Sequence, residues 1–189
     1  MIRVPFRIEA IFRRHTQNEL RDLEWMMLDM VNKDRRSNSL EAGHAKPLLW
    51  DERTASIARG HSHDMIRRHF FSHENPDGEG FLHRLSGSGN SFTTCAENIA
   101  KGYLTIGKAQ EDFMNEPPFE PNHRGNILNA EFTHVGIGVA QDKNGTLTIT
   151  QDFIRTGDCS HVTRVGGVIV ESRSPKIEVF PGKRRRIWP

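Results

Sequence analysis

The spacing of apolar residues changes once along this chain of 189 residues, and that change limits the folds open to it. Up to residue 128, apolar residues recur mainly at intervals of three and four, which is typical of helices that bury one face. From 135 to 151 they alternate, as in half-buried strands. Helices followed by a late antiparallel hairpin favour an α+β fold in which helices cover a sheet.

Cap residues and turn signals place the boundaries of these elements. Four helices are predicted: 17–36, one that Asp51 caps and that runs to about Arg68, 106–115, and a short one from Asn122 to Leu128. Strands are predicted at 135–139 and 147–151, around a hairpin turn at 142–145, with a further strand at 165–170 and an extended segment at 47–50. Prolines 117 and 118 end the third helix.

Length and charge indicate one domain with short extensions. No apolar run approaches the roughly 18 residues that span a bilayer. Arginines interrupt the apolar residues of the first 14 positions, so no ordinary secretory signal is visible.

Both ends of the chain are basic and the body is acidic. The tail 183–186 is available to contact anionic surfaces, although a solvated tail is the simpler interpretation, and nothing indicates a specific nucleic-acid partner.

The two cysteines, Cys95 and Cys159, exclude a disulfide framework and a cysteine-based zinc site. One disulfide and two reduced thiols both remain open. No nucleophile elbow, phosphate loop, dinucleotide-binding glycine pattern or HExxH helix occurs in the sequence.

Two imidazoles and two carboxylates stand out as candidate site residues. They are His73, Glu97, Glu116 and His123. This combination suits a divalent-metal site or an acid–base pair. His123 is expected in the first turn of a helix, where the helix dipole favours the neutral ring, and Glu116 at a helix end, where a carboxylate calls for a partner. The other histidines are expected to be structural; His61 and His63, for example, lie too nearly on opposite sides of one helix to chelate one ion.

Eight short segments, in this order and spacing, resemble the CAP superfamily of cysteine-rich secretory, antigen 5 and pathogenesis-related proteins, most of all its bacterial SCP-like branch. They are 30–35, 47–51, 61–65, 70–73, 75–78, 96–100, 123–128 and 132–139. The resemblance covers about residues 20–155. It divides the chain into an N-terminal basic segment (1–19), a CAP domain (20–156) and a C-terminal extension with the basic tail (157–189).

The resemblance implies a three-layer α-β-α sandwich with a central antiparallel sheet and a large cleft. His73, Glu97, Glu116 and His123 match the two histidines and two glutamates that line this cleft in many members. Phe113 stands where the family usually has Trp. The proline-rich stretch 117–121 makes Glu116 the least direct match of the four.

Three functions are compatible with these residues. In the first, His73 and His123 bind a divalent cation, zinc or another, Glu97 and Glu116 orient them, and the cleft takes a lipid, peptide or glycan. In the second, the protein is a metal-assisted, peptidase-like hydrolase that uses Glu97 or Glu116 as general base. In the third, the four residues only brace the cleft. The resemblance also implies an extracellular or cell-surface location.

Overall fold

A four-stranded sheet lies at the centre of the computed structural model, which describes residues 14–156 except 88 and 90. The strands are β1 (Leu49–Trp50), β2 (Phe92–Tyr103), β3 (His134–Gln141) and β4 (Leu147–Thr156), and the helices are α1 (Gln17–Ser37), α2 (Glu52–Arg67), α3 (Phe81–Ser86), α4 (Ile106–Met114) and α5 (His123–Leu128). The sheet order is β1-β3-β4-β2, so β2 is an edge strand. β1 runs parallel to β3 and the other pairs are antiparallel. The sheet is therefore mixed rather than wholly antiparallel.

Helices cover both faces of this sheet. On one face α2 packs directly against β3, because the chain has glycine at positions 136 and 138; a Cβ at Gly138 would lie 2.1 Å from the backbone nitrogen of Arg59. α3 contacts α2 on the same side. On the other face α1, α4 and α5 contact one another over the main apolar core. The three-layer α-β-α sandwich is confirmed.

Cap residues begin the helices where the sequence indicates. The Thr16 hydroxyl accepts a hydrogen bond from Glu19 N, whose side chain returns to the Thr16 backbone. Asp51 accepts from Thr54 N and Asn122 from Gly125 N. The four predicted helices are confirmed to within about a residue at either end, although α4 ends at Met114, so Glu116 lies just beyond the helix rather than at its last residue.

Two elements were not predicted, and the reasons differ. α3 has six residues, too few to show a period. β2 is buried on both faces from Thr94 to Ala100, so its sequence does not alternate. The same double burial holds for most of β4, where alternation had suggested one buried face. The predicted strand at 165–170, Cys159 and the tail 183–186 lie outside the described residues.

Candidate functional site

The first histidine–glutamate pair joins the segment after α2 to the edge strand β2. His73 Nδ1 lies 2.6 Å from Glu97 Oε1. The Glu97 side chain is almost wholly buried, at 1% exposure, whereas the His73 ring keeps 25% of its surface. The Glu97 carboxylate therefore contacts the His73 ring from the interior of the fold. The other ring nitrogen, Nε2, lies on the side of the ring away from Glu97.

Arg84 on α3 holds both members of this pair. Its Nη2 donates to Glu97 Oε2 at 2.7 Å, and its Nη1 donates to the backbone carbonyl of His73 at 2.9 Å. Arg84 was not predicted as a site residue, because α3 was not recognised in the sequence.

His61 on α2 supports the same segment in the structural role expected of it. The buried ring contacts the Ser72 carbonyl through Nε2 at 3.0 Å and packs against Phe70. Burial, followed by the charge of Arg84, lowers the pKa of His61 to about 3. His61 is therefore neutral at physiological pH, and its Nε2 carries the proton that is donated to Ser72.

Glu97 also meets a second carboxyl, that of Asp152. The two residues are directly opposite each other on β2 and β4, and both are fully buried. Burial raises the pKa of Glu97 to about 7, although the charge and the hydrogen bond of Arg84 oppose this. Asp152 was not among the sequence candidates. The available signal was an aspartate directly between the predicted strand 147–151 and the apolar residues 153 and 154, since strands are depleted in Asp.

The second pair joins the residue after the end of α4 to the start of α5. Glu116 Oε1 lies 2.8 Å from His123 Nδ1, and Glu116 Oε2 accepts from His123 N at 2.7 Å. The Phe113 ring stacks on the imidazole with centroids 4.6 Å apart. Burial works to raise the pKa of Glu116, but the hydrogen bonds from His123 outweigh it and lower this pKa. His123 is thus the partner that a carboxylate at this helix end requires.

The two pairs approach neighbouring positions of β2 from opposite faces of the sheet. Glu97 belongs to the first pair, and the next residue, Asn98, donates from Nδ2 to the His123 carbonyl at 3.1 Å. Adjacent strand residues point to opposite faces. Asn98 is itself held by Asn126 and Gln151, all buried. The edge strand therefore contacts the ring of His73 through Glu97 and the backbone of His123 through Asn98.

Each glutamate contacts the same ring nitrogen of its histidine. In each pair Nδ1 faces the glutamate, so Nε2 is the nitrogen on the far side of the ring. Across residues 14–87, 89 and 91–156, no three His, Cys, Asp or Glu side chains are grouped to hold an ion. A four-ligand structural site is therefore absent from this part of the chain.

An α-β-α sandwich with a histidine–glutamate pair on either side of its edge strand defines the class of protein. The chain belongs to the cysteine-rich secretory protein family, CAP, whose model matches residues 17–153. It is similar to the Bacillus subtilis (strain 168) protein YkwD, with 34% identity over 69% of this chain and 46% of YkwD. It is also similar to the membrane protein YlbC of that strain, with 35% identity over 70% of this chain and 34% of YlbC.

Solved structures agree on the fold. An extracellular SCP-domain protein of Bacillus anthracis str. Ames matches with a TM-score of 0.63 and 29% identity over 76% of this chain and 45% of that one. An outer surface protein of Borrelia burgdorferi matches with a TM-score of 0.62 and 13% identity over 76% of this chain and 97% of that one.

The chain spans less than half the length of the two Bacillus subtilis relatives. Within the described residues, every helix is too short or too polar to cross a membrane.

Proposed function

We propose that the two histidine–glutamate pairs line a ligand-binding cleft of a CAP-domain protein at the free edge of β2. There Nε2 of His73 and Nε2 of His123 would reach around the edge from the two faces of the sheet and bind one divalent cation, zinc in the first place. The observation that carries this proposal is that a glutamate holds Nδ1 of each ring, at 2.6 and 2.8 Å. Histidines that bind metals usually present their other nitrogen to a carboxylate or carbonyl in this way, which fixes the tautomer and orients the ring.

Burial and exposure support an open site. The His73 and His123 side chains are 25% and 14% exposed, so solvent reaches both rings, while each glutamate is more buried than its histidine. Two protein ligands leave coordination positions for water or for a ligand, as in sites that are not purely structural. Imidazole suits zinc, copper and nickel. A bound cation would polarise a ligand oxygen as a Lewis acid.

Zinc titration of the metal-free protein by calorimetry tests this proposal. We expect the wild type to bind with modest affinity that falls as pH drops, because protons compete for the imidazoles. The double variant His73→Ala/His123→Ala should lose the binding heat. The matched control His63→Ala/His83→Ala removes two exposed histidines that lie outside the pairs and should bind as the wild type does.

Equal heats in the wild type and in His73→Ala/His123→Ala would refute the metal site. The two pairs would then be braces: they would tie the segment after α2 and the start of α5 to β2 without a cation. Thermal unfolding of the same variants tests this role, since loss of a brace lowers the melting temperature whether or not zinc is present.

The ligand class and the location of the protein belong to the same proposal. A lipid, a peptide or a glycan would occupy the cleft beside the cation. Because the Bacillus anthracis relative is an extracellular protein, we place this chain outside the cell or at its surface. Zinc affinity measured with and without each ligand class identifies the occupant, since a ligand that completes the coordination raises the apparent affinity for zinc.

A second candidate, a metal-assisted hydrolase, is favoured by one observation. The pKa of Glu97 is raised to about 7, near the value that suits a general base at neutral pH. Glu116, whose pKa is lowered, is the poorer base. Turnover of a peptide library in the presence of zinc, lost in a folded Glu97→Gln variant, would support a hydrolase. No turnover by the wild type would leave binding as the function.

A further inference from the structure

A cavity of about 550 Å³ lies between one face of α2 and the segment 75–84. Its volume falls within the range of about 300–1,000 Å³ that small-molecule sites have. Gly60 lines the cavity from α2, and a Cβ at this position would meet no atom within 4 Å, so the helix surface is open here. The lining includes neither His73 nor His123. The cavity is therefore distinct from the cleft of the proposed metal site.

The residues that line this cavity form a buried floor and an exposed rim. The His61 side chain is 1% exposed and that of Arg84 is 12% exposed. The side chains of Arg67 and Asp77, in contrast, keep 77% and 62% of their surface. His61 and Arg84 are therefore the floor of the cavity, and Arg67 and Asp77 belong to its rim.

Each floor residue has one buried nitrogen without a hydrogen-bond partner among the described residues, while its other nitrogens are in use. His61 Nε2 donates to the Ser72 carbonyl at 3.0 Å. Arg84 Nη1 and Nη2 donate to the His73 carbonyl and to Glu97 at 2.9 and 2.7 Å. The nitrogens left over are His61 Nδ1 and Arg84 Nε. Because buried polar atoms nearly always have a partner, these two nitrogens point to a group that enters the cavity.

The two nitrogens need opposite kinds of partner. The Ser72 carbonyl can only accept, so His61 Nε2 carries a proton, and the buried ring, whose pKa is lowered to about 3, is neutral. Nδ1 of His61 is therefore an acceptor, whereas Arg84 Nε carries a hydrogen and can only donate. A hydroxyl group both donates and accepts. A ligand with several hydroxyls can thus satisfy both nitrogens.

The charges of the rim are already paired with one another. Arg67 Nη2 donates to Asp64 at 2.8 Å, and Arg68 Nη2 donates to Asp77 at 2.9 Å. The lining as a whole has three arginines and three carboxylates, so no excess of one sign attracts an ion. Ile57 is the one large apolar residue of the lining, so a lipid chain would find little apolar surface against which to be buried. A neutral, polar ligand fits these surroundings.

We propose that this cavity binds a neutral, hydroxyl-rich ligand, a sugar, with one hydroxyl donating to His61 Nδ1 and another accepting from Arg84 Nε. The site needs no cation and contains neither proposed zinc ligand, so it goes beyond the function proposed above. Arg84 is shared between the two sites: its Nε binds the sugar, whereas its Nη atoms hold Glu97 and the His73 carbonyl.

NMR titration of the nitrogen-15-labelled full chain, with zinc removed by EDTA, tests the proposal. The probes are glucose, galactose and N-acetylglucosamine at up to tens of millimolar, with sodium phosphate and triglycine as the anionic and peptide alternatives. We expect a sugar to shift, in a saturable way, the backbone signals of residues 60–64 and 75–79 and the Nε–H signal of Arg84. The permethylated form of that sugar has no hydroxyl to donate to His61 Nδ1, so it should bind at least tenfold more weakly.

Substitutions at the cavity wall and floor locate the bound sugar. Gly60→Phe places a ring in open space on the wall and removes no side-chain hydrogen bond, and we expect it to weaken sugar binding at least tenfold. Gly60→Ala is the matched control, which adds only a methyl group there and should bind as the wild type does. His61→Phe keeps a ring that packs on Phe70 but removes the Nδ1 acceptor, so it should also bind at least tenfold more weakly.

Three results would overturn the proposal: no saturable shift with any of the three sugars, tighter binding of phosphate or triglycine at the same residues, or unchanged sugar affinity in Gly60→Phe. The variant His73→Ala/His123→Ala separates this site from the metal site, because it should lose zinc and keep the sugar. Loss of the sugar in that variant would mean that the sugar binds in the cleft, which contradicts the proposal.

Discussion

Two glutamates in this protein have pKa values shifted in opposite directions by their surroundings. Glu97 and Glu116 each contact a histidine Nδ1, yet the pKa of the first is raised to about 7 and that of the second is lowered. Glu97 is the more deeply buried and shares its site with a second carboxyl, whereas Glu116 receives both the ring and the backbone N–H of His123. The residue types, a glutamate beside a histidine in both cases, do not predict that the two pKa values shift in opposite directions.

The burial that raises the pKa of Asp152 has a consequence for stability. A carboxyl whose pKa is raised by folding binds more protons in the folded than in the unfolded chain, so its contribution to stability is present at low pH and is lost as pH rises above about 4. Asp152→Asn removes this loss. We expect the stability of Asp152→Asn relative to the wild type to rise with pH above about 4, by up to about 1.4 kcal/mol per pH unit. Urea unfolding at several pH values measures this, and a pH-independent difference would contradict it.

Sequence reasoning found the four residues of the pairs but not the pairing itself or the groups that support it. His73, Glu97, Glu116 and His123 stand in short segments of a recognisable pattern, and each histidine does meet one glutamate. Arg84 and Asp152 carry no such pattern. Their part follows from the pairing of β2 with β4 and from the packing of α3, which are long-range contacts that local spacing does not encode.

Elements of this fold are predictable where one face alone is buried. α1, α2 and α4 each bury one stripe, and their ends carry the expected caps. β2 is an edge strand by its hydrogen bonding but has helices over both faces, so its sequence loses the alternation that marks a strand. The parallel pairing of β1 with β3 rests on two residues of each strand and leaves no signal in the spacing.

The contact between α2 and β3 depends on the absence of side chains at two glycines. A Cβ at position 138 would lie 2.1 Å from Arg59 N and 2.2 Å from the carbonyl carbon of Ala58, both backbone atoms. We expect Gly138→Ala to destabilise the protein by about 3 kcal/mol or more, the upper end of overpacking costs, since the helix must move away. Urea unfolding monitored by circular dichroism gives the value.

Gly60 in the middle of α2 provides the matched control for this experiment. A Cβ there would meet nothing within 4 Å, and Gly60 is not among the positive-φ glycines. Gly60→Ala should therefore stabilise the protein by about 0.5–1 kcal/mol, because alanine loses less conformational freedom in a helix than glycine does. If both alanine variants shifted stability in the same direction, the close approach of α2 to β3 would be in doubt.

At the scale of the whole molecule, one buried arginine connects segments that are distant in sequence. Arg35 near the end of α1 is fully buried and donates to the carbonyls of four residues in three segments, with no carboxylate partner among the described residues. The acceptors are Lys46, Ile127, Asn129 and Phe132. Burial lowers the pKa of Arg35 to about 10, which still leaves the guanidinium charged at neutral pH. These bonds join α1 to the approach to β1, the end of α5 and the approach to β3.

Loss of this guanidinium should weaken the entire fold rather than one layer. Arg35→Met keeps the apolar stem but leaves buried carbonyls without donors, each of which costs about 1–3 kcal/mol where water does not enter. We expect a loss of at least about 3 kcal/mol from the free energy of unfolding, in one cooperative transition seen alike by tryptophan fluorescence and circular dichroism. Arg35→Lys keeps the charge but has only one nitrogen that donates, so its free energy of unfolding should lie between those of the wild type and Arg35→Met. The neighbouring Arg36 is exposed, so Arg36→Met should stay within about 0.5 kcal/mol of the wild type. Equal effects at positions 35 and 36 would mean that the layers hold together without the buried arginine.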